Sequence, residues 1–244
     1  MKIRGILFDK DGTIIDYFRT WVPLNREAAL FAAGGDAALA AELLRAHGQD
    51  PDTGAIAGDS VLAVGSIVEI AEAFAAHLGA RTPAGLTASL DRLFAEGGAR
   101  NAVLIPGADR TLATLKARGL RIGVATNDSV AGLKASLKRT GTLDLLDFTC
   151  GFDSGHGTKP APGMALAFCA AVGLKPDEIA VVGDAMHDLA MGRAANAGLT
   201  VGVLSGTGTA AQLEPLADIV LDSINDMPAL PTFRKSWWRP PLFR

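Results

Sequence analysis

The chain has 244 residues, 49% of them hydrophobic and 20% charged, with a formal net charge of −3. That length suits a domain carrying an insertion, and that composition suits an ordinary globular protein. The near-balanced charge argues against nucleic acid as the main partner, since a phosphate backbone demands clustered Lys and Arg.

In chain order, Ile6-Leu7-Phe8 is the first strand-like run, and Asp9 cuts it short. A run so brief is no secretory leader. Elsewhere no run approaches the roughly 18 apolar residues of a membrane helix, so no membrane association and a cytoplasmic location are expected. Residues 17–100 are rich in Ala, Leu and Glu, with helical spacing over Asn25 to Ala33, Ala37 to His47, Ile67 to Leu78 and Thr87 to Ala95. Gly34-Gly35, Asp50-Pro51-Asp52, Thr82-Pro83 and Gly97-Gly98 read as breakers between them.

Beyond residue 100 the pattern changes. Short apolar runs (Ile122 to Ala125, Ile179 to Gly183, Leu199 to Leu204, Ala217 to Leu221) alternate with helical segments. These segments stop before Gly119, Gly141, Gly173 and Gly198, as helices commonly do. Such alternation predicts βαβ units and a parallel sheet covered on both faces. The expected fold is therefore α/β: a Rossmann-like core over 1–16 and 101–226, an inserted all-helical cap over 17–100, and a tail over 227–244. The tail carries Trp237-Trp238 and is expected to pack on its own domain rather than on a second copy. Cys150 and Cys169 sit in apolar surroundings and read as buried free thiols.

Three apolar runs end in a polar residue: Asp9, Thr126 and Asp184. In an open parallel sheet ligands bind outside the carboxyl ends of the strands, so these side chains should meet at one rim. Asp9, Asp11, Asp184 and Asp188 together are too acidic to stand alone. They call for a hard divalent cation with oxygen ligands, and Mg2+ fits. Lys159 supplies a further positive charge. Strand alternation should turn Lys10 away from Asp9 and Asp11, toward a structural or surface role.

On these residues the chain resembles the haloacid dehalogenase superfamily of phosphotransferases. Asp9-Lys10-Asp11-Gly12-Thr13, Thr126, Lys159-Pro160 and Gly183-Asp184-Ala185-Met186-His187-Asp188 stand in the order and spacing of its four motifs. The helical insertion resembles the small-cap subfamily that includes phosphoglycolate phosphatases. The resemblance implies Asp9 as nucleophile, forming an aspartyl-phosphate, and Asp11 as acid, then base. It also implies Mg2+ held by Asp9, the Asp11 backbone carbonyl and Asp184, with Asp188 supporting the metal or steadying Lys159. Thr126, Asn127 and Lys159 would hold the phosphoryl group. His156 and His187 match no required residue of that pattern.

Asp11 argues against a dehalogenase, which in that superfamily lacks the second acid. The absence of lysine between Lys10 and Lys116 removes the cap Schiff base of a phosphonatase. The expected activity is Mg2+-dependent hydrolysis of a small phosphorylated metabolite. A sugar-phosphate mutase is the alternative, and a non-catalytic phosphometabolite-binding protein a more remote one. The chain would act as monomer or homodimer. Specificity is expected from the cap, at Arg19, Arg45, His47 or Gly58-Asp59-Ser60, with hinges near Asp16 and Gly97-Gly98.

Overall fold

The computed structural model describes residues 2–58 and 60–233, so Asp59 and the Trp237-Trp238 pair lie outside the described residues. Six strands form one parallel sheet in the described residues: β1 (Gly5–Phe8), β2 (Arg121–Ala125), β3 (Phe148–Cys150), β4 (Ile179–Gly183), β5 (Leu199–Val203) and β6 (Ile219–Leu221). Their order is β3-β2-β1-β4-β5-β6. Chain direction across the sheet reverses between β1 and β4, the crevice where open α/β sheets bind ligands. Every residue of β1 and β4 is buried, which is why both read as unbroken apolar runs. Phe8 pairs in register with Val124 on one side and Val182 on the other, so β1, β2 and β4 end together.

Ten α-helices accompany the sheet in the described residues. Five make up the insertion that follows β1: α1 (Tyr17–Ala32), α2 (Ala37–Ala46), α3 (Val61–Val64), α4 (Ile67–Leu78) and α5 (Leu86–Asn101). The others are α6 (Ala108–Ala117), α7 (Val130–Arg139), α8 (Gly163–Val172), α9 (Met186–Ala194) and α10 (Ala210–Leu213). Leu24, Leu43, Phe74 and Leu90 centre a buried cluster made wholly of inserted residues. Ile6, Phe8, Val124 and Val182 belong to a second cluster on one face of the sheet, and Leu7, Phe168 and Val181 to a third on the other. Two chain segments join the insertion to the sheet, and they run side by side. Asp16 N–H donates to Val103 O at 2.8 Å, and Ile105 N–H to Ile14 O at 2.9 Å.

The structure corrects several expectations. Gly97 and Gly98 do not break the chain; both are buried inside α5. A Cβ on Gly97 would lie 2.2 Å from the Leu24 side chain, and one on Gly98 2.9 Å from Trp21. These glycines let α1 and α5 approach closely, which weighs against a hinge there. α1 begins eight residues before Asn25 (25 − 17) and runs through Pro23. Proline removes one helical hydrogen bond, but buried Thr20, Val22 and Leu24 hold both sides of it in place. β3 was missed, because Phe148-Thr149-Cys150 is too short and mixed to signal a strand. α9 stops at Ala194, and Asn196 rather than Gly198 takes the left-handed conformation. Met227 and Phe233, at the start of the tail, are buried against the sheet. Arg118 Nη1 donates to Pro228 O at 2.7 Å and Phe233 O at 3.0 Å. Both cysteines are free and buried.

Candidate active site

The three strand ends meet as their register requires. Asp9, Thr126 and Asp184 are all buried at one rim of the sheet. Asp9 is set by its own amide, which donates to Val182 O at 2.8 Å. Lys159 reaches in from the loop before α8. Its Nζ donates to Asp9 Oδ1 and, at 2.6 Å, to Asp188 Oδ1. Asp188 sits in the first turn of α9, where its Oδ2 accepts from Ala185 N–H at 3.1 Å. Asn127 fixes the backbone of Lys159: its Oδ1 accepts from Lys159 N–H at 3.0 Å, and its Nδ2 donates to Lys159 O at 3.4 Å. Thr126 Oγ1 accepts from Asp128 N–H at 3.1 Å, closing the turn that leads into α7.

Asp184 is gripped from two sides. Thr13 Oγ1 donates to its Oδ1 at 3.3 Å, and Thr207 N–H to its Oδ2 at 2.9 Å. Gly12 lies against the same carboxylate with φ at 81°. A Cβ there would stand 2.5 Å from Asp184 Oδ2, so glycine is required both by conformation and by space.

Asp9, Asp184 and Asp188 each bring a carboxylate oxygen within 4.8 Å of the others. Three buried carboxylates share one buried ammonium, which leaves negative charge without a partner. Burial pushes the Asp9 pKa up to about 7, with the charges of Asp188 and Asp11 adding to the rise and Lys159 opposing it. Burial, then Asp9 and Asp188, hold Asp184 well above the carboxylate range. Burial also works against ionisation of Asp188, yet His187 and Lys159 bring it below the ordinary value. Burial opposes charge on Lys159 too, but Asp188 and Asp9 outweigh it and raise its pKa. Excess buried negative charge on hard oxygen donors fits a divalent cation.

The Asp11 carboxylate lines the same cavity but stands apart from this cluster. Trp21 Nε1 of α1 donates to its Oδ1 at 2.7 Å, and Lys10 Nζ lies 3.1 Å from its Oδ2. This corrects the expectation for Lys10, which is fully buried. Its Nζ also lies 2.6 Å from Asp128 Oδ2 and 5.3 Å from the centre of the Trp21 ring. Strand alternation does not reach Lys10, because β1 ends at Phe8 and the chain turns there. Both Ile14 N–H and Ile15 N–H donate to Lys10 O. Burial disfavours the Lys10 ammonium, but Asp11 and Asp128 overcome that and raise its pKa.

Thr126, Lys159, Asp184 and Asp188 thus come together around Asp9, while the cap candidates Arg19, Arg45 and His47 do not. Arg19 is exposed, and exposed Arg45 lies 3.6 Å from Asp52 Oδ2. Neither lines the cavity of about 820 Å3 that opens between the rim and the inserted helices. His47 instead packs at a tilt against Phe74 and edge-on against His77. Residues not singled out in the sequence also line that cavity: Trp21, Asp128, His187 and Thr207. His187 stands on its wall, with Nε2 3.4 Å from Asp188 Oδ1. Ser205-Gly206-Thr207-Gly208, directly after β5, was the signal available for Thr207: a small-residue loop at a strand's carboxyl end.

A family model described as haloacid dehalogenase-like hydrolase matches residues 3–196. The chain belongs to that family. Among curated members, the phosphoglycolate phosphatase of Salmonella typhimurium is 32% identical over 144 residues, 57% of this chain and 56% of that protein. The phosphoglycolate phosphatase of Rhodospirillum rubrum is 35% identical over 143 residues, 56% of this chain and 58% of that protein. The matched part thus spans little more than half the length of either relative. A predicted phosphoglycolate phosphatase of Haemophilus somnus has the same fold, with TM-score 0.73 over 94% of this chain and 98% of its own, at 22% identity. Within this hydrolase family, no helix of the described part of the chain is long and apolar enough to cross a membrane.

Proposed function

We propose that the chain is a Mg2+-dependent phosphatase that hydrolyses a small phosphate monoester through an aspartyl-phosphate. The observation that carries this reading is the buried Asp9 carboxylate, paired with Lys159 beside Asp184 and Asp188. The named relatives support it, since they are phosphoglycolate phosphatases. Asp9, Asp184 and the Asp11 backbone carbonyl would hold Mg2+, with Asp188 supporting them, and the ion would neutralise charge on the phosphoryl oxygens.

Asp9 attacks phosphorus, forming an Asp9 O–P bond while the bond to the leaving oxygen breaks. Asp11 gives its proton to that oxygen and the alcohol departs. Asp11 then takes a proton from water, whose oxygen attacks phosphorus as the Asp9 O–P bond breaks and phosphate leaves. Lys159 serves this sequence by keeping Asp9 charged and aimed, and by offsetting phosphoryl charge. Thr126 and the amides around Asn127 hold the phosphoryl oxygens ahead of α7. Residues 17–100 act as the domain that closes over the rim, pivoting on the paired segments at Asp16 and Val103.

Phosphate release from p-nitrophenyl phosphate tests the reading. Turnover should vanish with EDTA and return with Mg2+, and borohydride reduction of the working enzyme should mark Asp9. Full turnover in EDTA would remove the metal from the mechanism. An unmarked Asp9 in a turning-over enzyme would remove the covalent step.

A further inference from the structure

The cavity lining includes apolar side chains that nothing covers. Val64, at the end of α3, is 39% exposed, and Val68, in the first turn of α4, is 52% exposed. Phe152, in the loop after β3, is also 52% exposed. These are large apolar side chains left uncovered, and all three line the cavity, as do Ile67, Phe94 and Trp21. Leaving such groups in water costs roughly 25 cal/mol per Å2, so an occupant that covers them gains affinity. The charged side chains on the inserted side of the lining are Glu69 and Asp91, both acids. Glu69 is held ionised: hydrogen bonds from Ser66 keep its carboxyl below the ordinary value. The insertion's arginines (Arg19, Arg26, Arg45, Arg81, Arg92 and Arg100) all lie outside the lining. Among the described residues, its one Lys or Arg is Lys159, which is already committed to Asp9 and Asp188.

From this lining we infer that the phosphate monoester has an uncharged, largely apolar alcohol as its leaving group, bulkier than glycolate and without a carboxylate. The inference rests on the phosphatase reading above and narrows its substrate class. A carboxylate in this cavity would face the exposed acids Glu69 and Asp91 with no cation of the lid to meet it, and like charges repel. A cavity of about 820 Å3 is also far larger than a glycolate unit fills. It lies toward the top of the roughly 300–1,000 Å3 range of small-molecule sites.

The experiment compares kcat/KM in Mg2+ for benzyl phosphate, ethyl phosphate and 2-phosphoglycolate, all of which release poor alkoxide leaving groups. Benzyl phosphate should exceed ethyl phosphate by at least about tenfold, and 2-phosphoglycolate should fall below both. Val68→Arg should lower turnover of benzyl phosphate and raise that of 2-phosphoglycolate. Parity among the three esters, or preference for 2-phosphoglycolate, overturns the inference while leaving the phosphatase reading standing. Calorimetric binding of benzylphosphonate and phosphonoacetate in Mg2+ reads the cavity without turnover. If no ester is hydrolysed, the phosphatase reading fails, and tighter benzylphosphonate still supports the apolar site. Equal or tighter phosphonoacetate overturns it.

Discussion

The rim of the sheet and the lid above it are built on opposite physical principles. The rim gathers the carboxylates of Asp9, Asp11, Asp128, Asp184 and Asp188 around the ammoniums of Lys10 and Lys159. The lid presents Val64, Ile67, Val68 and Phe94 to the same cavity. On the proposed function, charge gathered at the rim would act on the phosphoryl group, which every substrate would share. Apolar surface on the lid would act on the alcohol, which would differ between substrates. Substitutions at the rim should therefore change all turnover together, and those on the lid should change its distribution among substrates.

The largest effect should come from Asp9→Asn, which removes the attacking oxygen and should lower kcat by more than about 10^4-fold on every ester. A loss confined to some substrates would break the division between rim and lid. Next is Lys10→Met, which leaves Asp11 and Asp128 facing each other without their buried counter-ion. Removing one partner of a buried ion pair costs about 3 kcal/mol, read as a fall in denaturant midpoint. An unchanged midpoint would show that the Lys10 ammonium contributes no net stability.

A smaller effect concerns pH. The Asp9 pKa is about 7 in the folded protein against 3.8 unfolded, and that of Asp184 is also raised. An acid with a raised folded pKa binds its proton more tightly when folded. In EDTA, stability should thus rise as pH falls from about 7 toward the unfolded value, read as a rising Tm. Mg2+ should flatten this rise in Tm scans, since bound cation favours the ionised acids. Asp184→Asn should raise Tm in EDTA and blunt the gain from Mg2+. The smallest effect should come from Arg19→Ala and Arg45→Ala, each changing kcat/KM by less than about twofold because neither reaches the cavity. A tenfold loss selective for one substrate would return substrate reading to the arginines and sharpen the lid differently.

The rim was legible in the sequence because its residues break the local pattern. Asp9 ends a buried strand, and Asp184 ends another. Neither has a packing reason to be there. The lid was not legible, because Val64 and Val68 obey the pattern. An apolar residue on an amphipathic helix reads as core whether it faces Phe74 or an open cavity. Charge in the insertion points instead to the arginines, which lie outside the cavity. Lys10 was misread for a related reason: period-two alternation holds only while the strand lasts, and β1 stops at Phe8. The βαβ order was readable from glycine-ended helices and continuous apolar runs, whereas β3 and the extension of α1 depend on neighbours distant in sequence.

Trp21 belongs to the lid, yet its indole N–H is bonded to Asp11 and its ring lies beside the Lys10 ammonium. Indole emission is sensitive to such polar neighbours. With Trp237 and Trp238 replaced by phenylalanine, the remaining tryptophan would be Trp21 alone, and excitation at the long-wavelength edge of indole absorption would select it over Tyr17. Any motion that lifts α1 from the sheet must break the Trp21–Asp11 hydrogen bond and shift the colour of that emission. That variant would thus carry an intrinsic optical signal, where the insertion meets the sheet, for the timing of any such opening.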